Sequence, residues 1–527
     1  MKSFLNLSAV LVLVALAACT SGPGSNPGSH QSADPLILRA HFIGAEQLFA
    51  SPDSAKLKEL WSLPSSRALR DEALNRFAEL PSLWRRGDAG TPTLTNLFRP
   101  LLDDLLAREF YLEARATPEF LLAVRLPEDR ARLWETNLTQ AAAAWKMGRT
   151  SPLSTEGFTG WAVQKTGLPG SIRFIRAGDW VVLGAGPASS APENQMLAGI
   201  KSGGRPGKLT GAWLEGDANL ARFDGWLPVL ANFDNLPVAH FSLSNRTDFV
   251  RTHATLDFPK PHGWKPEPWL IPTNQIREPL VSFVALRGVA PWLQSIPSLR
   301  DLGYQPTPNQ IIGWGHRGIP FQFTYLAPSR DVRAQLQKVE PKLDELVLGR
   351  NNSKIEGRID WDTNSQKIIW RGLPVTVPQL GAIRDAGQEY LGLTCFPPTW
   401  TSNLPPPELY QQFHGRSDLV SFDFEVTEYR IPHWRQFYQI LEIGTHRSLT
   451  PTNAPSLRFL TEVASHLGEA VTELRSTSPT QMTLVRKSHT GLTALELVSL
   501  SRWIESTNFP AFGVFPPAPP KRLPPRR

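Results

Sequence analysis

The feature that most constrains this chain is a proline-dense interior stretch, residues 259–279 (PKPHGWKPEPWLIPTNQIREP). Prolines withdraw backbone donors from strand ladders and disfavour helix in the residue before them. The stretch therefore reads as a semi-rigid linker between two bodies, residues 35–258 and 280–514. Each body is long enough for a core of its own by the prior of roughly 100–200 residues per domain.

The pattern on either side is similar. In the first body Leu36-Ile37-Leu38 reads as a strand, and Leu69, Ala73, Phe77 and Leu80 mark one helix face. Strands over 110–114 and 120–126 precede a helix that carries Trp134, Leu138, Ala141, Ala142 and Trp145 on one stripe. A hairpin is expected at Ala177-Gly178, and Ser190-Ala191-Pro192-Glu193 reads as a capping box opening another helix. In the second body Phe321, Phe323 and Tyr325 alternate with polar residues, as do Phe422 and Phe424. Val332, Leu336, Val339, Leu343 and Leu346 form a helical stripe with Pro341 inside it. Further helices are expected over Val377, Leu380, Ile383 and Tyr390, from Pro432 through Trp434, and from Leu457 through Leu467, Val471 and Leu474. Strands are expected at 482–486 and 492–495. Both bodies can be written strand, helix, two strands, helix, two strands, helix, strand, helix, two strands. Strand pairs between helices predict an α+β fold of two similar halves, with mostly antiparallel sheets and helices packed on them. The two halves share no residue-level repeat.

The ends are not part of either body. Residues 1–18 carry Lys2, an apolar run through Leu11-Val12-Leu13-Val14-Ala15-Leu16, and small residues before Cys19. That is the layout of a secretory signal, and its apolar stretch is short of the roughly 20 residues of a spanning helix. The ending Leu16-Ala17-Ala18-Cys19 resembles the lipobox of bacterial lipoproteins. The resemblance implies cleavage before Cys19, a diacylglyceryl thioether on its sulfur and acylation of the new α-amino group. Several chains on one residue give stable anchoring where a single chain is marginal. Thr20, rather than Asp, after the cysteine implies the outer membrane in the sorting pattern of such lipoproteins. An ordinary cleaved signal is the alternative. Residues 19–34 (CTSGPGSNPGSHQSAD) read as a lipidated flexible tether with a reach of about 20 Å. Residues 515–527 form a basic, proline-rich tail expected to be extended and disordered. The body resembles large bacterial envelope proteins without sharing a motif that carries over a site.

Charge and cysteine content narrow the function classes. Setting aside Lys2, Lys521, Arg522, Arg526 and Arg527 brings the formal charge from +7 to +2, so no phosphate-backbone partner is expected. With Cys19 lipidated, Cys395 has no second cysteine to pair with and reads as a packed apolar thiol.

No nucleophile elbow, zinc-binding helix, Cys-x-x-Cys or phosphate-loop motif occurs, and no cofactor or metal is expected. Gly184-Ala185-Gly186-Pro187-Ala188-Ser189 departs from a dinucleotide fingerprint at its third glycine and at its hairpin context. The candidate catalytic residues are two i, i+2 carboxylate pairs, Asp360/Asp362 and Asp423/Glu425. Two strand steps separate such carboxylates by roughly 6.5–7 Å, within the range that glycosidase acids use. The same alternation also describes a solvated strand face above a core. His240 and His253 are placed to share a sheet, and they and His316 read as structural. Of the seventeen tryptophans, Trp264, Trp269, Trp314, Trp400 and Trp434 stand in expected turns, where glycan stacking and core packing compete. Trp134, Trp145, Phe321, Phe323, Phe422 and Phe424 are expected in cores. The resulting expectation is a lipid-anchored envelope protein, held to the membrane through Cys19, that binds or scaffolds an envelope protein or polymer without catalysis. The alternative is a hydrolase of envelope glycan using one of the carboxylate pairs.

Overall fold

The computed structural model describes residues 36–510 except 85–93, 117–118, 165–169, 188–189, 208–210, 224–232, 266, 297–299, 301–304, 318–321, 345–356, 373–375, 397–402, 406, 446–453 and 508. The expected signal, tether and basic tail, and Phe321, Leu346 and Trp400, lie outside the described residues.

In the first half the strands are β1 (Leu36–Phe42), β2 (Phe110–Arg115), β3 (Glu119–Arg125), β4 (Ser151–Thr155), β5 (Phe158–Val163), β6 (Ser171–Ala177), β7 (Trp180–Gly186), β8 (Leu214–Asn219), β9 (Val238–Arg246) and β10 (Phe249–Asp257). Its main helices are α1 (Ala55–Ser62), α2 (Pro64–Trp84), α3 (Thr95–Ala107), α4 (Glu128–Ala144) and α5 (Ala191–Gly203). The second half has β11 (Leu280–Arg287), β12 (Gln310–His316), β13 (Phe323–Ser329), β14 (Arg358–Asp362), β15 (Lys367–Arg371), β16 (Gln379–Asp385), β17 (Gln388–Thr394), β18 (Leu419–Val426), β19 (Glu469–Ser478) and β20 (Gln481–Ser488). Its helices are α6 (Ala290–Ser295), α7 (Val332–Asp344), α8 (Pro407–Gln411), α9 (Thr427–Thr445), α10 (Pro455–Ala464) and α11 (Ala494–Glu505).

All the described strands pair antiparallel in one sheet. From one edge to the middle the order is β4, β5, β6, β7, β3, β2, β1, β8, β9, β10. From the other edge inward it is β14, β15, β16, β17, β13, β12, β11, β18, β19, β20. The second sequence is the first with ten added to every number, so the halves have one connectivity. They meet through equivalent strands, β10 against β20, from Val250↔Ser488 to Asp257↔Gln481. The structure is therefore the α+β fold of two similar antiparallel halves that the alternation of elements implies.

Burial explains why the segments fold as they do. β3 is apolar on both faces because both are covered: Phe120, Leu122 and Val124 join α3 and α4 in one core, and Leu121 and Ala123 join α5 in another. The helical stripe of α4 turns Trp134 inward to 1 % exposure, where its indole donates to Asp104 at 2.8 Å. Trp145 is half-buried and stacked on Phe98. Phe422 is 1 % exposed, whereas Phe323 and Phe424 are half-buried. On the helical side, α2 and α3 pack with α11 around Phe77, Leu80, Leu102 and Trp503, so helices of both halves share a layer.

Several expected elements differ. The helix expected over Val377–Tyr390 is the hairpin β16–β17, turning at Ala386 (φ 46°) and Gly387 (φ 81°). Ile383 and Tyr390 are cross-strand partners there. The helix expected to run to Leu474 stops at Ala464, and Val471 and Leu474 belong to β19. A spacing of four residues fits one helical turn and equally two strand steps on one face. The strand expected at 492–495 is the entry to α11, where Thr493 and Glu496 form a reciprocal capping box. Helix α9 begins at Thr427 and contains Pro432 rather than starting there. At Ser190 only half of the capping box forms: its hydroxyl accepts from the Glu193 N–H, while the Glu193 carboxylate pairs with buried Arg173 at 2.8 Å. Four strands follow α4 and four follow α7, with β4 and the β16–β17 hairpin unread in the sequence.

Candidate functional site

A polar groove of about 620 Å³ lies on the sheet of the first half, opposite the helical layer. It is built by alternation. On β1, Leu38 and Ala40 enter the core, which turns Arg39 and His41 to the other face. On β8, Leu214, Gly216 and Ala218 stand between the outward Glu215 and Asp217. Gly216 is required by close approach, since a Cβ there would lie 2.0 Å from the Arg39 carbonyl oxygen and 2.9 Å from the Phe241 ring. Tyr111 and Glu113 come from β2, His240 and Ser242 from β9, and His253 and Thr255 from β10. Helix α5 supplies one wall through Pro192, Gln195 and Met196, continued by Pro206-Gly207.

The floor is a run of alternating charge. Arg39 reaches Glu113 at 3.1 Å and Asp217 at 3.4 Å. His240 then bridges Asp217 at 2.6 Å and Asp257 at 3.2 Å. Beneath it His41 is 4 % exposed, with Nε2 3.1 Å from Glu109 and Nδ1 3.3 Å from Glu215. A doubly protonated ring donates to both carboxylates, whereas a neutral ring satisfies one. The ring stacks on Tyr111 at 4.1 Å between centroids. Burial, and then the Glu109 charge, pushes the Tyr111 hydroxyl up to about 12, which keeps it a neutral hydrogen-bonding group. Glu109 also accepts from Arg205 at 2.8 Å. These pairs fix the floor, and the acceptor-rich, partly aromatic lining suits a ligand with hydroxyl or amide donors.

Neither carboxylate pair from the sequence lines this groove. Asp360 is held by Arg358 at 3.0 Å and Arg371 at 3.1 Å. Asp362 closes the β14–β15 turn, accepting from the Asn364 N–H at 3.0 Å and the Ser365 hydroxyl at 2.6 Å, and these bonds hold its carboxyl below the usual range. Asp423 and Glu425 share the other face of β18, beneath α9 and α11. Glu425 is buried and accepts from the Ala494 N–H at 2.6 Å and the Thr427 hydroxyl at 3.1 Å. Glu496 beside it accepts from Arg486 at 2.6 Å. Asp423 keeps a little exposed surface, yet it is enclosed by protein, and burial followed by the Glu425 charge raises its carboxyl to about 7.

The remaining sequence features have structural partners. Gly184 makes room for the Arg173–Glu193 pair, since a Cβ there would meet the Glu193 carboxylate. Trp264 donates to the Arg287 carbonyl at 3.0 Å, Trp269 lies under the Arg287 guanidinium at 4.5 Å, and Trp314 is 5 % exposed. Trp434 lies under Arg430 at 5.1 Å. Cys395 is half-buried, and burial pushes its thiol up to about 11, away from thiolate chemistry. His316 ends β12, and burial lowers its imidazole below the ordinary range. His240 and His253 do share a sheet, on neighbouring strands of the groove floor. Among the described residues no group of His, Cys, Asp or Glu is placed to hold a metal ion. The sequence signal that locates the groove is Glu215/Asp217, an i, i+2 carboxylate pair in a strand facing Arg39 and His41.

No family model matches the chain, and no curated protein matches it. Among solved structures, crystal form III of TP0453 is similar at 13 % identity over 42 % of this chain and 76 % of that chain, with a TM-score of 0.23. Crystal form I of TP0453 has 12 % identity over 46 % and 79 %, with a TM-score of 0.21. Scores of this size carry no inference about this chain.

Proposed function

We propose that the protein is a lipid-anchored, non-catalytic binding protein of the bacterial envelope, tethered through Cys19 to the outer membrane on its periplasmic side. The observation that carries the binding role is the groove. It is a polar sheet face of the first half, walled on one side by α5, and its charged floor is held by Arg39, His41 and His240. The anchor rests on the lipobox resemblance of Leu16-Ala17-Ala18-Cys19. No helix among the described residues is long and apolar enough to cross a membrane. The glycan-hydrolase reading draws no comparable support, because Asp360 and Asp362 are engaged in ion pairs and a turn while Asp423 and Glu425 lie beneath helices.

Fractionation of cells carrying wild type or Cys19→Ala tests the anchor. Wild type is expected in the membrane fraction with lipid on its N-terminus, and the variant in the soluble envelope fraction. A variant that remains wholly membrane-bound, or a mature wild type without lipid, rules the anchor out. Crosslinking from the groove, through a photoreactive residue at Gln195, tests binding. A product that forms at Gln195, and not from the edge strand at Asp360, supports the groove. Equal products from both positions refute it.

A further inference from the structure

In the middle of the sheet two like charges stand opposite each other. Arg251 on β10 and Lys487 on β20 are directly opposite in register. Both are exposed. Among the described residues neither makes an ion pair, and the Lys487 ammonium rests on the Phe249 ring at 3.9 Å. Like charges directly opposite across a ladder destabilise it. Elsewhere on this face cations have carboxylates: Arg39 has Glu113 and Asp217, and Arg416 and Arg475 share Glu473.

The surroundings of the pair suit an oxyanion. Along β10 on the same face, two residues on, comes His253 of the groove floor. Across β9, Ser244 faces Arg251 and Ser242 faces His253, so one hydroxyl stands beside the arginine and a second beside the histidine. Of the carboxylates nearby, Glu215 is engaged with His41 and Glu473 with its arginines, while Asp248 of the β9–β10 turn lies towards His489. An arginine fork and a lysine point charge carry two positive charges, matching a phosphate monoester dianion better than a single carboxylate. The groove runs on from His253 and Thr255 to acceptors at Asp217, Glu215 and Glu113.

We propose that Arg251 and Lys487, facing each other where the two halves join, hold the phosphate of a phosphorylated small molecule whose hydroxyl-bearing body lies in the groove. The assignment rests on the groove being a binding site, and it names the ligand class.

Calorimetric titration of the full chain in detergent with inorganic phosphate, glucose 1-phosphate and glucose tests it. Glucose 1-phosphate should bind more tightly than either other probe. R251Q and K487Q should each weaken phosphate and glucose 1-phosphate about tenfold, the scale of losing one charge-assisted contact, without lowering the melting temperature. D217N should weaken glucose 1-phosphate and leave inorganic phosphate unchanged. If R251Q and K487Q bind phosphate as wild type does, or wild type binds no phosphate at millimolar concentration, the phosphate site is overturned. If phosphate binding depends on Arg251 but glucose 1-phosphate gains nothing over phosphate, the groove reading is overturned instead.

Discussion

The central strands of the two halves share one connectivity and opposite chemistry. On the face opposite the helical layer, register runs from His41 through Glu215, Ser242 and His253 in the first half. It continues through Val485 and Glu473 to Phe422 and Ala285 in the second. The first part of that row is an open polar floor. The last part is core, covered by Phe413 and by Trp269, Ile271 and Ile276 of the segment between the halves. The reverse holds on the helical face. Phe42, Leu214 and Leu243 make an apolar row that continues through Thr252, Arg486, Thr472, Asp423 and Val284 as a largely polar one. A repeated topology therefore constrains which strands touch, and the residue alternation decides which face becomes a site.

The sharpest way to break this comparison is to cut the second half where it is apolar and the first is polar. Phe422→Ala should cost about 3–5 kcal/mol, read as a marked fall in the urea midpoint. A shift as small as that of an exposed substitution would mean the row is not a core.

The inverted face gives the next largest effect. The carboxyl of Asp423 is raised to about 7 in the folded protein, above its ordinary value near 4. Folding therefore favours its protonated form, and its contribution is lost as pH rises from about 4 through 7. Asp423→Asn should raise stability at pH 8 by about 2–3 kcal/mol and leave it unchanged near pH 4. Melting curves at the two pH values check the sign. Equal shifts at both would remove the buried-charge account.

In the first half, His41→Gln replaces the ring that lies between Glu109 and Glu215. It should cost about 1–3 kcal/mol, with chemical denaturation as the measurement. A neutral result would mean the floor is held by Arg205 and Arg39 without the histidine. The smallest effect belongs to the seam: Lys487→Gln should stabilise by about 0.2–1 kcal/mol by relieving the charge opposite Arg251. A loss of stability there would show that its packing on Phe249 outweighs the repulsion.

Much of the architecture was legible because it is local. An apolar triplet marked β1, period-two alternation marked β13 and β18, a helical stripe marked α4, and proline density marked the segment between the halves. Four-residue spacings misled at Leu467–Val471, where a helix turn and a strand step look alike. The groove was harder to read. Arg39, Tyr111, Glu215 and His240 come from four strands, His41 and its partner Glu215 are 174 positions apart in the chain, and only register brings them together. The pairs that were singled out, Asp360/Asp362 and Asp423/Glu425, had the right spacing for paired chemistry. Their surroundings are set by Arg371, Ala494 and Arg486, which sequence adjacency does not show.

The seam between β10 and β20 also dictates an order of events. β10 ends at Asp257, but its outer partner begins at Gln481, so more than two hundred residues must be made before that ladder can close. Until then the first half ends in a raw edge, the kind of strand that pairs with the wrong chain. In the finished sheet the β19–β20 hairpin lies between β10 and β18, and the last quarter of the chain wedges between strands laid down earlier. A ribosome stalled before residue 481 would present a half with every internal strand available and its inner border open. Truncation near the C-terminus is thus expected to injure the oldest part of the sheet along with the newest.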